Sequence, residues 1–302
     1  MTATDEQITP ESDVQRRMAS HGWPALVRNP AFWAGAVIVA FFLFISVVPG
    51  PVASIFGAGD PDDCTLALSR NPPDLASGHP FGYTIQGCDM YTHVVYGARN
   101  SIAIGVVAAG SAAVLGIVIG MLAGYFGGWV DVVASRLAEI IYSMPMILGA
   151  IVVLSAFGSR SLLLIAGTLA VLTWVPIMRV VRASTIAASA RGYILAAKAM
   201  GLATPRVLGA HILPNVLGPA VVLFTTAIGA IIGAESTLTY LGIGLQVPAI
   251  SWGLQLATAQ NYFASAPHLL VFPVIALALA VAGFILLGDA LRRAFGVQRE
   301  AL

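Results

Sequence analysis

Six long apolar stretches, at about 31–48, 101–125, 132–157, 162–181, 216–241 and 269–287, constrain this chain more than any other feature. A helix rises about 1.5 Å per residue and a bilayer core is about 30 Å thick, so roughly 20 apolar residues cross it. Lipid offers the backbone no hydrogen-bond partners, so such stretches fold as helices that satisfy themselves. Charged residues make up 10% of the 302 residues, against about 25% in soluble domains. That is too few to cover a solvated globule, while 58% hydrophobic content is too much for a disordered chain. A net charge of +1 leaves no basic surface for nucleic acid. A length prior of about 150 residues per domain suggests two domains. No polar linker divides the chain, so the reading is one unit: an all-α integral membrane protein with six transmembrane helices.

Its expected organisation is a tail at 1–30, a first helix at 31–48, an external loop at 49–98, a core at 99–291 and a tail at 292–302. The core holds helices two to six and a cytoplasmic loop at 183–214. The first helix is not read as a signal peptide, because a polar segment of about 30 residues precedes it, longer than a usual n-region. Lys and Arg counts orient the spans. With the amino terminus inside, the cytoplasmic set includes Arg16, Arg17, Arg28, Arg136, Arg179, Arg182, Arg191, Lys198, Arg206, Arg292, Arg293 and Arg299, and the outer set only Arg70, Arg99 and Arg160. Both termini are therefore expected to be cytoplasmic, and the acidic stretch with Asp5, Glu6, Glu11 and Asp13 to be a flexible tail. Both cysteines, Cys64 and Cys88, fall in the external loop, where either a disulfide or two separate thiols fits. They form no metal-binding pattern.

Enzymatic motifs are missing. A Walker A loop needs glycines ahead of its lysine to hold phosphates. The sole lysine, Lys198, follows Leu195-Ala196-Ala197. No His-Glu-x-x-His or Gly-x-Ser-x-Gly occurs. Energy for any substrate movement must come from a gradient or a partner.

Within the spans, Gly116, Gly120 and Gly124 are four apart and share a helix face, a pattern for close helix packing. Three carboxylates lie in or at the spans. Glu139 falls in the cytoplasmic half of the third, with Arg136 as an i,i+3 partner. Glu235 lies near the outer end of the fifth and Asp289 at the inner end of the sixth. Their different depths argue for structural or gating roles over a proton relay.

The loop between the fourth and fifth spans reads as helix, break, helix. The first helix is expected at 187–200, capped by Gly201. Thr204 and Pro205 open a second, which ends near Pro214. Tyr193, Ala196, Ala197 and Met200 share an apolar face, flanked by Arg191, Lys198 and Arg206. Such a face suits a groove on another protein or a lipid surface. The uncharged outer segment 245–268, with Trp252, Gln255 and Tyr262, suits an outer gate, a docking surface or an interfacial aromatic band.

The spacing of Ala196-Ala197, Gly201 and Leu213-Pro214 resembles the "EAA" loop of ABC-importer permeases. The chain is further similar to the peptide/nickel branch, the DppC/OppC type. That resemblance is carried by Arg28-Asn29-Pro30, by Tyr96-Gly97-Ala98-Arg99-Asn100-Ser101, by the stretch 123–131 and by His211-Ile212-Leu213-Pro214-Asn215. It continues through ESTLTYLGIG at 235–244, Ser251-Trp252-Gly253, Ser265-Ala266-Pro267 and Leu287-Gly288-Asp289. The resemblance implies a type I importer permease fold in a bacterial cytoplasmic membrane. It implies a second homologous permease, two cytoplasmic ATPases coupled through the 191–214 loop, and an extracytoplasmic binding protein that delivers di- or oligopeptides. ATP and Mg would be bound by the ATPases, with no cofactor in this chain. Leu195 stands where the family usually has glutamate, and Cys88 where arginine is common. The alternative is a gradient-driven transporter, which calls for inverted repeats and broken helices around a midplane site.

Overall fold

The computed structural model describes residues 26–57, 59–158 and 160–295. Helix α1 (Pro30–Val47) starts where the Asn29 side chain accepts from Ala31 N at 3.0 Å and Pro30 takes the first turn. A short α2 (Pro49–Ala53) leads into the outer loop. Helix α3 (Met90–Phe126) is 37 residues long, about 55 Å at 1.5 Å per residue and well beyond a bilayer core. It begins eleven residues before the expected second span, because Asp89 caps it by accepting Thr92 N at 2.7 Å. Its amino-terminal turns carry the outer loop: Tyr91 donates to Val52 O at 2.9 Å and His93 Nε2 to Pro61 O at 2.9 Å.

The third expected span is not one straight helix. It is α4 (Gly128–Ser143) and α5 (Met146–Phe157), bent by 91°. Pro145 restricts Met144 to an extended backbone (φ −82°, ψ 128°), so the helix must stop there. The fourth is α6 (Leu162–Thr173) and α7 (Val175–Ser189), bent by 46°, where Pro176 removes a backbone donor. Among the described residues four helices are long and apolar enough to cross a membrane alone, or up to six segments if each bent pair counts as one span.

The cytoplasmic loop also differs from expectation. Helix α7 runs on through Ser189, and the next helix, α8, is only Gly192–Ala199. Gly201 closes it as expected, in the left-handed region (φ +79°), with Leu202 N donating to Ala197 O and Gly201 N to Lys198 O. Ala203, not Thr204, caps α9 (Thr204–Arg206). No end follows near Pro214. A π-helical stretch, Val207–Ile212, leads directly into α10 (Leu213–Tyr240), giving one 37-residue helix from Thr204 to Tyr240. Pro214 has no N–H and its ring would crowd the carbonyl four residues back; a wider turn, with Leu213 N reaching Leu208 O, accommodates it. Helices α11 (Trp252–Ala259) and α12 (His268–Ala294) complete the described residues.

The long α3 is the central post, packed on α7, α10, α6 and α1. Gly116, Gly120 and Gly124 face α7 so closely that an added Cβ would lie 2.8 Å from Ile177 Cβ, 2.7 Å from Met178 O and 2.7 Å from Arg182 O, respectively. The glycine face therefore packs helices, as its spacing implies. Asp5, Glu6, Glu11, Asp13, Arg16, Arg17 and Arg299 lie outside the described residues.

Candidate functional site

Two places concentrate the polar chemistry of this apolar chain. The first is the elbow between α7 and α10. Ile194, Val207, Ile212 and Val216 bury together against Ile177, Val181 and Ala188 of α7. Helix α8 is thus mounted on the ends of α7 and α10. Ala197 is 4% exposed, on the buried side of α8 with Ile194, so it does not belong to the outward face, because the helix is short and one side must seal onto its mount. The outward face is Tyr193, Leu195, Ala196, Ala199 and Met200, with Tyr193 49%, Leu195 52% and Met200 74% exposed. Leu195, at the position where glutamate is usual, is part of it.

Asn215 ties the elbow to the start of α10. Its Oδ1 accepts from Arg191 at 2.7 Å, and its Nδ2 donates to Tyr193 Oη at 3.0 Å and to His211 O at 2.6 Å. The Tyr193 and His211 rings pack edge to face at 6.3 Å. The lone lysine lies over the Tyr125 ring, 4.4 Å from its centroid, at the end of α3. Lys198 is thus a strut between the elbow and the central post. Arg206 and Pro214 are exposed. Arg182 makes a two-pronged ion pair with Asp131, tying the first turn of α4 to the middle of α7. Neither Asn215, Tyr125 nor the Asp131–Arg182 pair is predictable from spacing, since each joins segments remote in sequence.

The second place is near the carboxyl-terminal end of α10. Glu235 is fully buried. Thr239 donates to its Oε1 at 2.8 Å and Ser236 to its Oε2 at 3.3 Å. The hydroxyls of Ser101 and Ser251 also face it. Each of those two oxygens accepts a backbone N–H, from Trp252 and Leu254, which leaves its proton free for the carboxylate. Glu235 is thus held by hydroxyls of α10 itself, with Ser101 of α3 and Ser251 ahead of α11 close by. Trp252 is buried beside it, donating from Nε1 to Val94 O at 2.9 Å, and Gln255 donates from Nε2 to His93 O at 2.6 Å. Both act as anchors of α11 on α3. Glu139 lies apart, on the exposed side of α4, paired with Arg136 at 2.6 Å.

The outer loop is covalently closed: Cys64 and Cys88 form a disulfide, with Cα atoms 4.0 Å apart. The loop sits on the outer ends of α11 and α12. Arg70 lies 5.1 Å from the Tyr262 ring centroid, and Phe81 stacks on Phe272 at 3.9 Å. Burial together with the charges of Asp89, Asp74 and Asp63 pushes the Tyr83 phenol above its ordinary range.

Residues 116–297 match the family described as "Binding-protein-dependent transport system inner membrane component". The chain belongs to that family. The permease is 35% identical over 281 residues to the dipeptide transport system permease protein DppC of Alkalihalophilus pseudofirmus, covering 91% of this chain and 88% of that one. It is 37% identical to the oligopeptide transport system permease protein OppC of Escherichia coli K12, covering 86% and 84%. Among solved structures, an amino acid ABC transporter crystallised with histidines aligns with a TM-score of 0.50 at 15% identity, over 68% of this chain and 94% of that one. That likeness bears on fold alone, and it agrees with the type I permease fold. The permease is a multi-pass membrane subunit of an ABC importer and works in a complex with other subunits.

Proposed function

We propose that this permease is one of two homologous membrane subunits of an ATP-driven importer of di- or oligopeptides. An extracytoplasmic binding protein delivers cargo, and two cytoplasmic ATPases, which hold ATP and Mg, drive the cycle. Both termini are cytoplasmic and the disulfide-closed loop is external. The peptide assignment is supported by the dipeptide and oligopeptide permeases that this chain matches over most of their length. The coupling role is carried by one observation: an outward apolar face on a short helix, Gly192–Ala199, whose other side is welded to two long helices. Tyr193, Leu195 and Met200 are anchors of the kind that fill a groove on a partner. With Leu195 in place of a carboxylate, docking rests on shape and apolar contact. A push on α8 passes through Ile194 and Ala197 into α7 and α10, a rigid route between two arrangements of the spans.

The test is reconstitution. The permease is extracted in mild detergent, its co-purifying subunits are identified, and the complex is placed in liposomes with ATP inside and a labelled dipeptide plus binding protein outside. ATP-dependent uptake that fails with a non-hydrolysable analogue is expected. Uptake that follows an imposed ion gradient without ATP would refute the proposal.

A further inference from the structure

A cleft of about 300 Å³ lies between the disulfide-closed outer loop and the segment 247–258, at the lower end of the size range of small-ligand sites, about 300–1,000 Å³. One wall is the Cys64–Cys88 bridge with Asp62; the opposite wall is Val247, Ile250 and Leu254. Gln255 and Thr258 of α11, Gln86 of the outer loop and His93 of α3 also line it.

Gln86, exposed on the loop side, brings both amide donors and an acceptor; the other polar side chains offer acceptors or have their protons committed. Gln255 is 8% exposed, and its amide nitrogen is committed to His93 O. Its Oε1 has no donor and is closed to water, so it is not a contact for an occupant of the cleft. Thr258 spends its proton on the carbonyls of Leu254 and Gln255, so its oxygen can only accept from a ligand. His93, also in the wall, donates its Nε2 proton to Pro61 O. Asp62 adds a carboxylate, and no Lys or Arg lines the cleft among the described residues. A ligand that fits must bring donors and positive charge on one side and a small apolar group on the other.

We propose that this cleft is an outer-face binding site for a primary ammonium group carried beside a short apolar side chain, as at the amino-terminal residue of a peptide. The ammonium meets Asp62 and the Thr258 hydroxyl oxygen, and the side chain lies on Val247, Ile250 and Leu254. The site is on this chain itself and joins the external loop to the segment that follows α10, so an occupant holds the two together at the outer mouth. The ammonium chemistry stands on the cleft alone; its assignment to a peptide rests on the peptide-import reading.

The test uses the detergent-solubilised complex without binding protein, probed by saturation-transfer NMR with alanyl-alanine, its N-acetyl form and n-butylammonium. Alanyl-alanine and n-butylammonium are expected to bind and the acetylated peptide not to. D62N, at an exposed position, is expected to weaken binding by about tenfold, the loss of one charge-assisted contact, with the complex melting as wild type. V247S, which shrinks the apolar wall without adding charge, is expected to weaken both ligands; binding of both left unchanged by it removes the apolar wall from the site. Equal binding of the free and acetylated peptides, or binding indifferent to D62N, overturns the site. So does a D62N effect confined to the affinity of the binding protein, which would make Asp62 a docking contact. Binding of n-butylammonium that depends on Asp62, in a complex that imports no peptide, upholds the site while refuting the peptide reading.

Discussion

A methyl group added to α3 at Gly110 or at Gly120 differs in what it meets. At Gly120 the new Cβ would lie 2.7 Å from the Met178 carbonyl oxygen and 3.0 Å from Val181 Cβ on α7. The first is closer than carbon tolerates and is backbone, which cannot swing aside; the second is tight and asks Val181 to shift. Overpacking of this kind costs about 1–3 kcal/mol. The gain from replacing glycine by alanine in a helix is about 1 kcal/mol. For G120A the clash wins, or at least cancels the gain, and α7 is pushed away from α3. At Gly110 nothing lies within 4 Å of the added Cβ, so G110A keeps the helix-propensity gain without the clash. Melting of the two purified variants, followed by tryptophan fluorescence in the same detergent, should therefore move them apart. G110A is expected at or above wild type and G120A below it. Because α7 continues to the mount of α8, G120A should also lower the coupling of ATP hydrolysis to uptake. If both variants melt alike, or if G120A is the more stable, the glycine face is not the α3–α7 contact and the reasoning fails.

Ala196→Glu, on the outward face of α8, should leave the melting temperature near wild type while abolishing ATP-coupled uptake. Ala197→Glu buries a charge among Ile194 and its neighbours and should destabilise by several kcal/mol; a differential melt of the two variants checks this, and the reverse ranking would turn the helix over. Glu235→Leu leaves the facing hydroxyls without their acceptor, about 1–3 kcal/mol for each buried group left unmet, and should melt well below Glu235→Gln, which keeps an oxygen in place. Equal and total loss of uptake in both would instead require an obligatory charge. Reducing the Cys64–Cys88 bridge, with its sequence separation of 24, should lower stability by about 3 kcal/mol on the loop-entropy scale; intact mass before and after reduction and a melt of the Cys64→Ser/Cys88→Ser variant measure it.

Much of the elbow is legible in the sequence. Gly201 closes its helix because only a residue free to adopt positive φ suits that turn. The glycines at 116, 120 and 124 declare a close contact, but nothing in the sequence names α7 as the partner. Other features stay hidden because they depend on where remote segments meet. Ala197 and Ala196 look equivalent until the mount of α8 decides which faces inward. Glu235 reads as a lone carboxylate near the end of a span, yet its partners Ser101 and Ser251 come from other elements. Lys198 flanks the expected docking face in the sequence and rests on Tyr125 in the fold.

The sequence by itself determined the solvent, the helical class and the family, since hydropathy, charge placement and motif order are local properties carried along the chain. The bends at Pro145 and Pro176 are encoded locally too, though their angles, 91° and 46°, are set by the helices around them. Only the tertiary structure decided which small faces touch, which polar groups share the core around Glu235, and where the outer loop lies against α11. Those outcomes follow from packing and from the need to pair every buried polar group, conditions that segments distant in sequence satisfy together.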